Sequence, residues 1–186
     1  MKERGITLVE IIVTIFIITL FSGIIISDFP KIKKQFALSS ATHKLAQDLR
    51  RAQDMGLSGT QPLDPDGNPL LIKGFGLYIN LNPIDGNNKQ YIIYGDKNGN
   101  QQYDPLVDYN LDLIDMDIES KGVIIKGLYN ALEDRVSINF SPPNPKTSIS
   151  NLDPGFSRIK IVLSLEYNSA VTREIYVNTS GLIETK

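Results

Sequence analysis

Cysteine and tryptophan are both missing from this chain, and histidine occurs once, at His43. Without cysteine there can be no disulfide framework, no thiolate metal centre and no thiol nucleophile. One histidine cannot build a multi-histidine metal site, and a surface or capping role suits it better than a catalytic one. No Gly-x-Ser-x-Gly elbow and no phosphate-cradling glycine loop ending in lysine is present either. Carboxylates are plentiful, but without a cleft their spacing says nothing about acid–base work. The chain therefore reads as a protein that is not an enzyme. An excess of base is lacking too: 19 Lys and Arg stand against 21 Asp and Glu, a net charge of −2. Nucleic-acid binders are basic, so nucleic acid is not an expected partner. Neither an internal repeat nor a low-complexity tract interrupts the 186 residues.

What the chain does have is one long apolar run. Lys2-Glu3-Arg4-Gly5 is followed by Ile6 to Ser27, which is apolar apart from a few hydroxyls, one glycine and the carboxylate of Glu10. As a helix those residues span about 33 Å, the thickness of a bilayer's hydrocarbon core. β-Branched residues from Ile11 to Ile15 weaken a helix in water, whereas in lipid the backbone must pair within its own segment. Lys2 and Arg4 place the amino terminus on the cytoplasmic side. No small-x-small cleavage site follows the run, so a secretory signal fits poorly. Glu10 is the exception in the segment. It either sits at the interface, where water and the helix dipole tolerate it, or finds a partner charge.

Gly5-Ile6-Thr7-Leu8-Val9-Glu10 ahead of an apolar run resembles the processing site of type IV pilins and type II secretion pseudopilins. The resemblance implies cleavage by a prepilin peptidase between Gly5 and Ile6, methylation of the new amino terminus at Ile6, and an assembly role for Glu10. Ile6 departs mildly from the usual Phe or Met. Paired with a neighbour's α-amine inside a helix bundle, Glu10 would fix axial register more than it adds stability. The segment Leu45 to Gly56 looks most like minor pseudopilins of the FimT/GspH group. The implied partners are the peptidase, other pilin or pseudopilin subunits, the inner-membrane assembly platform, and lipid before assembly. The implied location is the bacterial inner membrane, single-pass, with the carboxyl-terminal domain outside, and afterwards a pilus or pseudopilus. Tip subunits of some such systems lack the acid, so Glu10 favours a place along or near the shaft.

Beyond Asp28-Phe29, Pro30 should kink the helix without ending it. Leu38, Ala41, Leu45, Leu49 and Ala52 then recur every three or four residues, an amphipathic stripe that Gly56 and Gly59 end. Strands are expected over Leu70 to Leu81, Gln90 to Tyr94, Gly122 to Leu128, Arg135 to Phe140, Arg158 to Tyr167 and Ala170 to Val177, the last two joined at Asn168-Ser169. Thr60 to Pro69 and the proline-rich Ser141 to Gly155 read as loops. The expected divisions are a leader at 1–5, an assembly helix at 6–29, its amphipathic half at 30–56 and a β-rich domain at 57–186. Together they make an α+β fold of the pilin kind, with a long helix packed on an antiparallel sheet.

One loop carries possible metal chemistry. Asp96, Asn98 and Asn100 alternate, with Asp104 or Asp108 able to close the turn, like the first half of a calcium loop. Gln101 stands where the sharp-turn glycine belongs, and position twelve is Val107, not Glu. Asx- and glycine-rich stretches are also ordinary turns. Six acids and no base lie between Asn98 and Ser120, a run that reads as a solvated loop, a calcium aid or an acidic face for a partner. Two alternatives to a filament subunit follow. A DNA-capturing pilin would resemble FimT-like binders, but Ser180-Gly181-Leu182-Ile183-Glu184 is apolar and acidic where their basic motif lies. A membrane-anchored enzyme would use Asp96 with a metal.

Overall fold

The computed structural model describes residues 5–59, 61–63, 66–142 and 146–186. Lys2 and Arg4 of the expected leader, together with Thr60, Pro65, Pro143 and Pro145 of the expected loops, lie outside them. The chain divides into two compact units, one ending at Phe36 and the other running from Ala37 to Lys186.

The first unit is the leading part of helix α1, Leu8–Ser58, which continues through Pro30. Its most apolar stretch has a mean hydropathy of 2.7 with none of it buried, so by length and composition it can cross a membrane. Ile11, Ile15, Phe16 and Ile18 are all at least half exposed, as befits side chains that face lipid or other helices.

The second unit holds the core. Leu38, Ala41, Leu45, Leu49 and Ala52 are all buried, so the amphipathic stripe lies where its period puts it. His43 is exposed. The helix ends at Ser58, with Gly59 in the left-handed conformation (φ +61°). Gly56 does not end the helix as expected. It is buried inside it, and a Cβ there would stand 2.5 Å from the Phe140 carbonyl oxygen. Glycine is required by that close approach of helix to strand.

Among the described residues nine strands follow, in two antiparallel sheets where one was expected. β1 (Gly74–Asn80), β2 (Gln90–Asp96), β3 (Tyr109–Asp115), β5 (Arg135–Ser141) and β6 (Lys146–Ile149) pair in the order β3-β2-β1-β5-β6. β4 (Val123–Tyr129), β7 (Arg158–Leu165), β8 (Asn168–Asn178) and β9 (Ile183–Thr185) pair in the order β4-β7-β8-β9. Inward residues of both, such as Leu77, Ile93 and Ile138 from one and Ile125, Ile161 and Ile175 from the other, share one core with the helix stripe. Alternate residues point outward, giving each sheet a second face. Tyr91 on β2 ties sheet to helix by donating to the buried Asp48 carboxylate at 2.7 Å, which also accepts Lys44 at 3.0 Å.

Three strands correct the sequence reading. β3 and the short helix α2 (Met116–Glu119) occupy the second half of the acidic run, and its acids are employed individually. Asp112 pairs with Arg51 at 3.3 Å, Asp115 caps α2, and Asp117 pairs with Lys89 at 3.1 Å. β6 lies inside the stretch expected to be loop, and β9 adds an edge after Gly181. The β7–β8 turn is Glu166-Tyr167, with Leu165 facing Asn168, two residues earlier than expected.

Candidate functional site

At the amino terminus the helix opens with a capping box. Thr7 precedes the first helical residue, and its Oγ1 accepts the Glu10 N–H at 3.3 Å. Glu10 reaches back, its Oε2 accepting the Thr7 N–H at 3.4 Å. Reciprocal capping of this kind satisfies donors that a helix start leaves open. Glu10 thus has a local partner, Thr7, which the sequence reading passed over although Thr-x-x-Glu before an apolar run signals it. Gly5 and Ile6 are exposed beside it. Among the described residues nothing lies within 4 Å of a Cβ placed on Gly5, so their packing does not demand glycine there.

In the second unit, the five residues of the expected calcium loop do come together. Asp96 is fully buried at the end of β2; its two oxygens accept the N–H groups of Gly99 at 2.6 Å and Gln101 at 2.8 Å. Asn98 and Asn100 each turn their side-chain oxygen onto a backbone N–H two residues on, at 2.9 Å. Their amide nitrogens both donate to Asp104 Oδ2 at 2.7 Å. Asp108 closes the loop by accepting the N–H groups of Lys97 at 3.0 Å and Asp104 at 2.8 Å. Burial pushes the Asp108 carboxyl above its ordinary value, these two bonds opposing the rise and the nearby Asp96 and Asp104 charges adding to it. Gln101 adopts φ +66°, so the position does take the left-handed turn a glycine would favour.

Calcium takes six or more converging oxygens; here the amide nitrogens of Asn98 and Asn100 face Asp104. Among the described residues no group of three or more acids or histidines is placed to hold a metal. What the loop does instead is strap the outer face of the first sheet. Tyr103, at its far end, donates its N–H to Ser137 at 3.0 Å and sets its ring 4.6 Å from Tyr78 and 5.2 Å from Tyr94. Tyr94 is buried beneath it, and Gly76 makes the room: a Cβ there would stand 2.6 Å from the Tyr94 ring.

No protein-family model, curated protein or solved structure matches this chain. Its chemistry must be read from its own residues.

The segment after Ser180, where a basic motif would suit DNA capture, is structural. Ile183 is buried in the core, and the Gly181 carbonyl accepts Gln53 of α1 at 3.0 Å. On the outer face of the second sheet, Arg158 lies over Tyr176 (4.9 Å) and Lys160 over Tyr129 (4.5 Å). Glu174 takes Lys160 at 3.4 Å, so these bases are engaged within the fold.

Proposed function

We propose that this chain is a structural subunit, a minor pilin or pseudopilin, of a membrane-anchored filament such as a type IV pilus, type II secretion pseudopilus or competence filament. In this reading a prepilin peptidase cuts after Gly5, Ile6 becomes the methylated first residue, and the apolar helix passes from the inner membrane into the filament core. The domain outside the membrane packs against neighbouring subunits, and no turnover is involved. The observation that carries the proposal is the start of α1: an exposed Gly5-Ile6 junction, a glycine that its own surroundings do not require, and Glu10 at the helix entry of an apolar run. An exposed junction of this kind is open to a peptidase.

The capping box gives the assembly step a physical form. In the lone subunit, Glu10 is held by Thr7 through long bonds of 3.3 to 3.5 Å, near the limit for useful strength. A neighbour's methylated α-amine offers a charge-assisted bond, about twice as strong as a neutral one. Glu10 can therefore exchange a weak local partner for a strong foreign one as lipid is left behind. Substituting Glu10→Ala should leave cleavage intact and block incorporation, read by immunoblotting sheared filaments against membranes. Normal filament incorporation of that variant would sink the exchange.

A further inference from the structure

The segment Asp28 to Lys34 directly follows the apolar stretch of α1 and concentrates charge of one sign. Lys31, Lys33 and Lys34 stand there against Asp28, the only acid between Glu10 and Asp48, in a chain whose net charge is −2. All three lysines are exposed. Asp28 takes Lys31 at 3.1 Å, but both side chains are more than half exposed, and an ion pair so placed is weak enough for an outside anion to displace. In the orientation read from Lys2 and Arg4, the positive-inside bias disfavours lysine on this flank, so insertion does not account for the three.

Apolar side chains interleave with these bases. Phe29 and Ile32, three apart, share one side of the helix, while Lys31 and Lys34 share the opposite one. Phe29 is 63% and Ile32 60% exposed, and the domain's core includes neither. The lysines begin four residues beyond Ser27 and end seven beyond it, about 6–10 Å along the helix axis. Headgroups add about 5–8 Å to each side of a hydrocarbon core about 30 Å thick, so the ammonium groups stand at the level of the lipid phosphates. A lysine stem lies along apolar surface while its ammonium stays in that polar layer, and an anionic surface attracts each such charge.

We propose that Lys31, Lys33 and Lys34 form a collar that binds the phosphates of anionic phospholipid headgroups, with Phe29 at the acyl boundary. The inference rests on the reading that the leading part of α1 crosses a membrane. It adds a preference that an apolar span alone lacks: the chain gathers anionic lipid around the end of its span and gives that lipid up on leaving for a filament.

The test uses the full chain in vesicles of phosphatidylcholine holding about one-fifth phosphatidylglycerol, with bromine on the acyl chains of one lipid or the other. The chain lacks tryptophan, so Ile24→Trp, exposed and two turns before Lys31 on the same side of the helix, is a sole reporter whose fluorescence bromine quenches. Phosphatidylglycerol should surround the reporter roughly 5-fold above its share. Lys31→Gln with Lys33→Gln and Lys34→Gln should abolish that excess, arginine at the same three positions should keep it, and added salt should reduce it. Inorganic phosphate at matched ionic strength should leave it unchanged. Quenching in proportion to lipid share, an excess that survives the glutamine changes, its loss in the arginine variant, or its displacement by inorganic phosphate would each overturn the proposal and leave the span intact. Quenching by neither brominated lipid would overturn the membrane reading and the proposal together.

Discussion

Removing the carboxylate of Asp96 should release the strap on the outer face of the first sheet. Asp96 is fully buried, and it anchors the turn by accepting two backbone N–H groups at 2.6 and 2.8 Å. In Asp96→Ala both donors lose their acceptor, and Asn139, 3.5 Å from the same carboxylate, loses a neighbour. Each donor stranded by such a change costs about 1–3 kcal/mol. The loop lies on the outside of the sheet, so water can rescue part of that cost, leaving about 2–4 kcal/mol. For a chain of this size that is a fall in melting temperature of roughly 5–15 °C. The control is Asp104→Ala, whose carboxylate accepts only the exposed amides of Asn98 and Asn100 and whose loss should cost no more than about 1 kcal/mol. Melting by far-ultraviolet circular dichroism in micelles gives the totals. Amide exchange over residues 97–108 shows whether the loosening is local. Matching melts for the two variants, or unchanged exchange in Asp96→Ala, would refute the anchoring role.

Gly76→Ala should destabilise by about 1–3 kcal/mol or more, since its Cβ would meet both the Tyr94 ring and the Ile138 carbonyl oxygen at 2.6 Å; the denaturant midpoint measures it. Glu174 is held below its ordinary pKa, first by the Tyr176 hydroxyl and then by Lys160 charge. A depressed carboxylate contributes stability that is present above its unfolded pKa, near 4.5, and lost as pH falls through the lower folded value. Glu174→Gln should therefore flatten that part of the acid unfolding curve, and an unchanged curve would count against the pairing.

The helix stripe was readable because Leu38, Ala41, Leu45, Leu49 and Ala52 obey a period that only one structure satisfies. Strands β1, β2, β4, β5, β7 and β8 were readable for a related reason, being dense in Ile, Val, Leu and Tyr. β3 was hidden because Asn110, Asp112 and Asp115 make an edge strand look like a solvated loop, although each acid has a structural task in three dimensions. β6 was masked by the prolines around it, and β9 by its length of three residues. Gly56 read as a stop because nothing local reveals that Phe140 lies against it. At Gln101 the residue type argued against a sharp turn, yet four backbone N–H groups donating to the Asp96 and Asp108 carboxylates hold the loop in one. The outer face of the first sheet was the least legible feature. Tyr78, Asp85, Tyr103 and Glu133 are far apart in sequence and meet only once the sheet and its strap exist. At the other end of the molecule, Thr7 and Glu10 carry a local signal that needs no tertiary structure.

The most direct test of the filament-subunit account is the intact mass of the protein extracted from membranes of a host that contains a prepilin peptidase. The expected species lacks Met1 to Gly5 and carries one added methyl group on Ile6. An uncut, unmethylated chain would contradict the account and reduce the apolar part of α1 to a plain anchor.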